Sequence, residues 1–145
     1  MKQACVLVLV VMLTSAHAQE VAPFIVTGDS IETALAGRTG NAVRGEAVVK
    51  NRETGNCLIC HEIPDRRERF QGEVGPPLAG VGLRLSVGQI RLRLVDPTLV
   101  NDRAVMPAYH RAHRLANVDP RHAGRPVLGA QDIEDVVAYL RGLKE

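Results

Sequence analysis

The strongest constraint on this chain is local. Cys57-Leu58-Ile59-Cys60-His61 places two cysteines three positions apart, with a histidine directly after the second. On one turn of backbone the two sulfurs can each form a thioether with a vinyl group of a porphyrin, and the adjacent imidazole then faces the iron as proximal ligand. C-x-x-C-H is the attachment pattern of a c-type haem. Other uses of the pair are weaker. A thioredoxin-like redox pair needs a βαβ setting, and strand alternation of any length is missing from the sequence. A tetrahedral zinc site needs a second closely spaced pair, whereas His110, His113 and His122 are scattered. A disulfide between positions three apart would close a tiny loop and contribute little. The sequence therefore predicts one covalent haem c, bound through Cys57 and Cys60 with His61 on the iron.

The N-terminus fits that chemistry. Lys2, the apolar run Val6–Leu13 and the small-x-small pattern Ala16-His17-Ala18 read as a secretory signal peptide over residues 1–18. The run is shorter than the roughly 20 residues that cross a bilayer as helix, so no membrane span is expected; the alternative is an uncleaved N-terminal anchor. Cys5 precedes the apolar run and is badly placed for a lipoprotein cleavage site. Cleavage after Ala18 would leave 127 of the 145 residues, with 17 basic against 16 acidic side chains, Cys57 and Cys60 as the remaining cysteines, and a single methionine, Met106. Export to the periplasm is expected, where c-type haems are attached. The near-neutral charge argues against a dedicated nucleic-acid binder. A hydrophobic share of 46% excludes a disordered chain, and the length fits one small domain. Only two Phe, two Tyr and no Trp are available to fill a core, a shortage that a buried porphyrin would relieve.

The mature chain reads as all-α. Residues 19–40 contain Pro23, Gly28, Gly37 and Gly40 without sustained periodicity and predict an irregular arm, either embracing a partner or disordered. Val43, Ala47 and Val48 predict a short helix over Ala42–Lys50. Prolines and glycines exclude a long element between Ile63 and Gly82. Ser86 and Gln89 form a capping box for a helix through Ile90, Leu94 and Val95 that stops before Asp96-Pro97. Residues 97–127 are loop-like. Gln131–Leu143 sets Ile133, Val136, Val137, Leu140 and Leu143 on one face, with Asp132, Glu134 and Asp135 at the end where the helix dipole favours acids. Loops this long suit a small domain when they wrap a large ligand.

A low-spin electron-transfer haem needs a sixth ligand. Met106, in the loop Val105-Met106-Pro107, is the candidate, since a distal thioether raises the reduction potential and blocks small-molecule binding; the alternative is a core gap-filler. His110 and His113 are the rival ligands, but with Arg111 and Arg114 beside them they read as surface residues. In Gly75-Pro76-Pro77-Leu78 a carbonyl, that of Pro76, would accept the Nδ1 proton of His61 and fix the ring, unless the stretch is only a rigid surface turn.

The order of helix, C-x-x-C-H, G-P-P-L, middle helix, Met-Pro loop and C-terminal helix resembles the class I cytochrome c fold over residues 41–145, short helices and long loops around one haem. Gly75–Gly82, Gln89–Pro97, Val105–His110 and Gln131–Leu140 further resemble the SoxX family. The resemblance implies the small monohaem subunit of a SoxAX heterodimer, an L-cysteine S-thiosulfotransferase that conjugates thiosulfate oxidatively to a cysteine of a SoxYZ-type carrier. It implies a SoxA-type catalytic partner, dihaem or monohaem, and a small downstream cytochrome c as acceptor. The chain itself would transfer electrons and not be catalytic alone: both mature cysteines are committed to haem, leaving no thiol to carry sulfur. The alternatives are a free-standing diffusible cytochrome c, or a ligand sensor or small peroxidase with an open distal site. Between residues 81 and 125 eight arginines face three aspartates, either a docking or anion-steering face or a solvated surface with one or two arginines on haem propionates.

Overall fold

The computed structural model describes residues 20–120 and 123–145; the expected signal peptide lies outside the described residues. Among these, four α-helices follow one another: α1 (Ala42–Lys50), α2 (Val81–Arg84), α3 (Val87–Val95) and α4 (Ala130–Gly142), with 3-10 turns at Leu35–Gly37, Cys57–Ile59 and Pro97–Leu99. No strand occurs among the described residues, only an isolated antiparallel bridge between Thr27 and Ser30. The all-α expectation is borne out.

Local chemistry sets the helix ends. The Asn41 side chain accepts the Arg44 N–H at 3.0 Å and opens α1. Ser86 Oγ accepts the Gln89 N–H at 3.2 Å while Gln89 Oε1 accepts the Ser86 N–H at 2.9 Å, so two orphan donors of α3 are satisfied reciprocally. Asp96 ends α3 and caps the next turn, accepting the Thr98 N–H at 3.1 Å.

The largest helix contact is α1 against α4. Its packing corrects the face expected for α1: Val43 is 77% exposed, and the buried positions are Gly45 and Val49. A Cβ at Gly45 would overlap the Asp135 carbonyl, so the close approach of the two backbones, rather than the valine pattern, decides which side turns inward. On α4 the expected residues Ile133, Val136, Val137 and Leu140 are buried.

Residues 20–40 fold onto this core. Ile31 and Leu35 are each 1% exposed. The Ile31 N–H donates to the Gly88 carbonyl at 3.1 Å and the Leu35 N–H to Glu134 Oε1 at 2.9 Å. Glu134 and Asp135 are buried and do more than face the helix dipole. Glu134 forms a two-pronged ion pair with buried Arg91, at 2.7 and 2.9 Å, and Arg91 also donates to the Ile31 carbonyl. Asp135 accepts the Asn41 N–H at 2.7 Å and pairs with Arg44 at 2.6 Å.

Candidate functional site

The pentapeptide 57–61 forms a tight turn, in which the Cys60 and His61 N–H groups both donate to the Cys57 carbonyl, at 3.2 and 2.9 Å. The segment after it runs back alongside. The Gly72 N–H donates to Leu58 O at 2.8 Å, the Gly75 N–H to Cys60 O at 2.7 Å and the Leu78 N–H to Glu62 O at 2.8 Å. These bonds bring Pro76 to His61, whose Nδ1–H donates to the Pro76 carbonyl at 2.7 Å. A carbonyl only accepts, so the proton sits on Nδ1 and the lone pair of Nε2 is left as the coordinating group. Gly75 packs directly on the imidazole, where a Cβ would overlap the ring.

Cys57, Cys60, His61, Pro76 and Met106 line one cavity of about 400 Å³. Its wall is mainly apolar, from Leu78, Val81, Leu85, Ile90, Leu94 and Leu140, with Arg93, Asn101, Arg103 and Tyr109 adding the polar groups. Two thiols, an imidazole with a free Nε2 and a thioether, set in an apolar chamber, are a donor set that fits a covalent haem. Burial pushes the Cys57 thiol up to about 11, outweighing its hydrogen bond with Tyr109, so this sulfur is neutral at pH 7. Burial, together with the nearby cysteines, also raises the Tyr109 phenol well above its ordinary value.

The loop carrying Met106 is tied down just beyond it. The Tyr109 N–H donates to Leu94 O at 3.1 Å and the His110 N–H to Val95 O at 3.2 Å, pinning the loop to the end of α3.

Sequence similarity decides the family. A cytochrome c family model matches residues 42–144. This chain belongs to the cytochrome c family. The cytochrome has no match among curated proteins. It is similar to a chain in the crystal structure of SoxXA from P. pantotrophus, at 31% identity and a TM-score of 0.77, covering 84% of this chain and 95% of that one. The cytochrome is thus SoxX-like and an electron-transfer protein carrying haem c, as its sequence implies.

Two readings of side chains need correction. His110 is not on the surface: it is 1% exposed, whereas His113 is exposed as expected. Nor is the arginine surplus all available to partners. Arg91 is neutralised inside the protein by Glu134, and Arg111 pairs with Asp96 at 2.7 Å. Arg93 and Arg103, two of the eight arginines between residues 81 and 125, line the cavity wall, whereas Tyr109 in that wall was missed at the level of sequence, although its place three residues after Met106 in a chain poor in aromatics was the available signal. No described helix is long and apolar enough to cross a membrane.

Proposed function

We propose that this cytochrome is the periplasmic electron-transfer subunit of a SoxAX-type thiosulfate-oxidising enzyme. In that reading Cys57 and Cys60 would hold the haem by thioether bonds, and His61 Nε2 and the Met106 sulfur would ligate its iron. A haem so ligated takes up and returns one electron at a time without admitting substrate to the iron. The chain's own groups do the rest. The Pro76 carbonyl fixes the His61 tautomer and strengthens Nε2 as a donor. The apolar wall excludes water, and Arg93, Asn101 and Arg103 supply donors for the carboxylates of the porphyrin. Oxidative conjugation of thiosulfate to a carrier thiol releases two electrons and one proton; among the described residues the thiols are those of the haem motif, Cys57 and Cys60, so in this reading the sulfur chemistry belongs to a SoxA-type partner. The observation that carries the reading is the likeness to SoxXA at 31% identity over nearly the whole of that chain, joined to a cavity in which all five expected groups meet.

Affinity purification of the tagged cytochrome from its native periplasm is expected to bring down a larger haem subunit, and deletion of its gene to abolish thiosulfate oxidation. Purification of the cytochrome alone, with thiosulfate oxidation intact in the deletion strain, would make it a diffusible carrier and end the proposal.

A further inference from the structure

His110 does nothing at the haem site directly, yet it is among the most completely buried side chains of the molecule, at 1% exposure. Its two ring nitrogens are both used, by backbone groups from opposite ends of the chain. Nδ1–H donates to the Leu128 carbonyl at 2.8 Å, and Nε2 accepts the Ala22 N–H at 2.9 Å. One donor and one acceptor describe a neutral imidazole in a single tautomer, locked against rotation. Four residues upstream of this lock is Met106, on a loop with no regular structure of its own. The loop's downstream end is fixed by the His110 and Tyr109 N–H groups on α3 and by the Leu128 N–H, which donates to Tyr109 O at 2.9 Å.

We infer that His110 is a positioning residue for the distal ligand: by clamping the Met106 loop between the N-terminal segment at Ala22 and the segment entering α4 at Leu128, it holds the thioether on the iron. The N-terminal segment thereby becomes part of the ligand-holding apparatus, although it contributes nothing to the cavity wall. A loop clamped on one side only samples more conformations, and each of them leaves the sixth position open to an added ligand.

The inference rests on Met106 being the distal ligand, and the test separates the two. The ferric holoprotein is examined for the weak red charge-transfer band that a methionine thioether gives ferric haem, and is titrated with imidazole. In the unaltered protein the band is expected and imidazole binds weakly; its absence there would remove the Met106 assignment and this inference with it. Given the band, His110→Phe (ring volume kept, both polar atoms lost) and Ala22→Pro (the one donor to Nε2 lost) are each expected to dim it and to raise imidazole affinity about tenfold, the scale of one lost buried hydrogen bond. The double variant should add little to the larger single effect, because both act through one clamp. Variants that melt earlier but keep the unaltered band and imidazole affinity would show His110 to be a packing residue only, overturning the inference while leaving Met106 in place. Ala22→Pro alters nothing in the His110 ring, so the test survives a His110→Phe protein that does not fold.

Discussion

At the scale of single residues, the constraint on His61 comes from both sides: Pro76 holds its Nδ1, and Gly75 leaves just enough room for the ring. Gly75→Ala puts a methyl where the imidazole sits, so either the ring or the 72–78 segment must shift. Overpacking of this kind costs about 1–3 kcal/mol. A lower melting temperature and a displaced reduction potential of the holoprotein are expected, and unchanged values of both would refute the contact. Asp65 supplies a second test. Hydrogen bonds from Arg67 and Lys50, with the Arg67 backbone N–H, hold its carboxyl well below the usual carboxylate range. A depressed folded-state value means that the stabilisation is complete above the unfolded carboxyl pKa, about 4, and is lost as pH falls below it. Lys50, raised by Asp65 and then Glu46, contributes in the opposite sense, fully below about pH 10 and less above it. Urea midpoints measured from pH 5 down to pH 2 should fall less steeply in Asp65→Asn than in the unaltered protein; parallel slopes would refute the assignment.

At the scale of elements, the helix ends were legible in the sequence and the helix faces only partly so. Caps are made by residues three apart, so Ser86 with Gln89 announced α3, and Asp96-Pro97 its end. Which side of α1 turns inward depends on how closely α4 approaches, and a glycine in the middle of a valine pattern carries no hydrophobic signal. The acids of α4 were misjudged for a similar reason: Glu134 is buried because Arg91, 43 residues away, is buried opposite it, and no local pattern records such a pairing. That pair joins α3, α4 and the Ile31–Leu35 stretch at one point, and its disruption is predictable. Glu134→Ala leaves a guanidinium in the interior without its counter-charge, at a cost of about 3–5 kcal/mol. Arg44→Ala removes one partner of the buried Asp135, but that carboxylate keeps the Asn41 N–H at 2.7 Å and the Gln131 amide at 2.9 Å, so a smaller loss than that of Glu134→Ala is expected. Denaturant titration of the two variants orders them; equal losses would mean that the interior pair carries no special weight.

At the scale of the whole molecule, the haem motif was readable because the chemistry is packed into five consecutive residues, and Met106 and Pro76 followed from the scarcity of their type or from their order along the chain. Tyr109 and Arg103 were not readable because they reach the cavity only through the path of a long loop, and Arg93 because its place depends on how α3 is turned against the other elements. The long loops close on a chamber of about 400 Å³ with a mainly apolar wall, in a protein holding two Phe, two Tyr and no Trp. Without the haem, this open-mouthed chamber would leave its apolar wall facing water, an unfavourable exposure of apolar surface. Water entering the mouth recovers little, since the wall presents few polar partners. The haem is therefore expected to be a structural member of the core as well as the redox centre, with the packing of α1 on α4 not enough to hold the long loops by itself. Cys57→Ala/Cys60→Ala, or the chain produced without haem attachment, is expected to lose cooperative unfolding, to bind hydrophobic dyes and to show reduced helical circular dichroism, whereas the holoprotein melts in one transition. A haem-free chain that melted cooperatively within a few degrees of the holoprotein would mean that helix packing alone sustains the fold, and that the shortage of aromatic side chains is made good elsewhere.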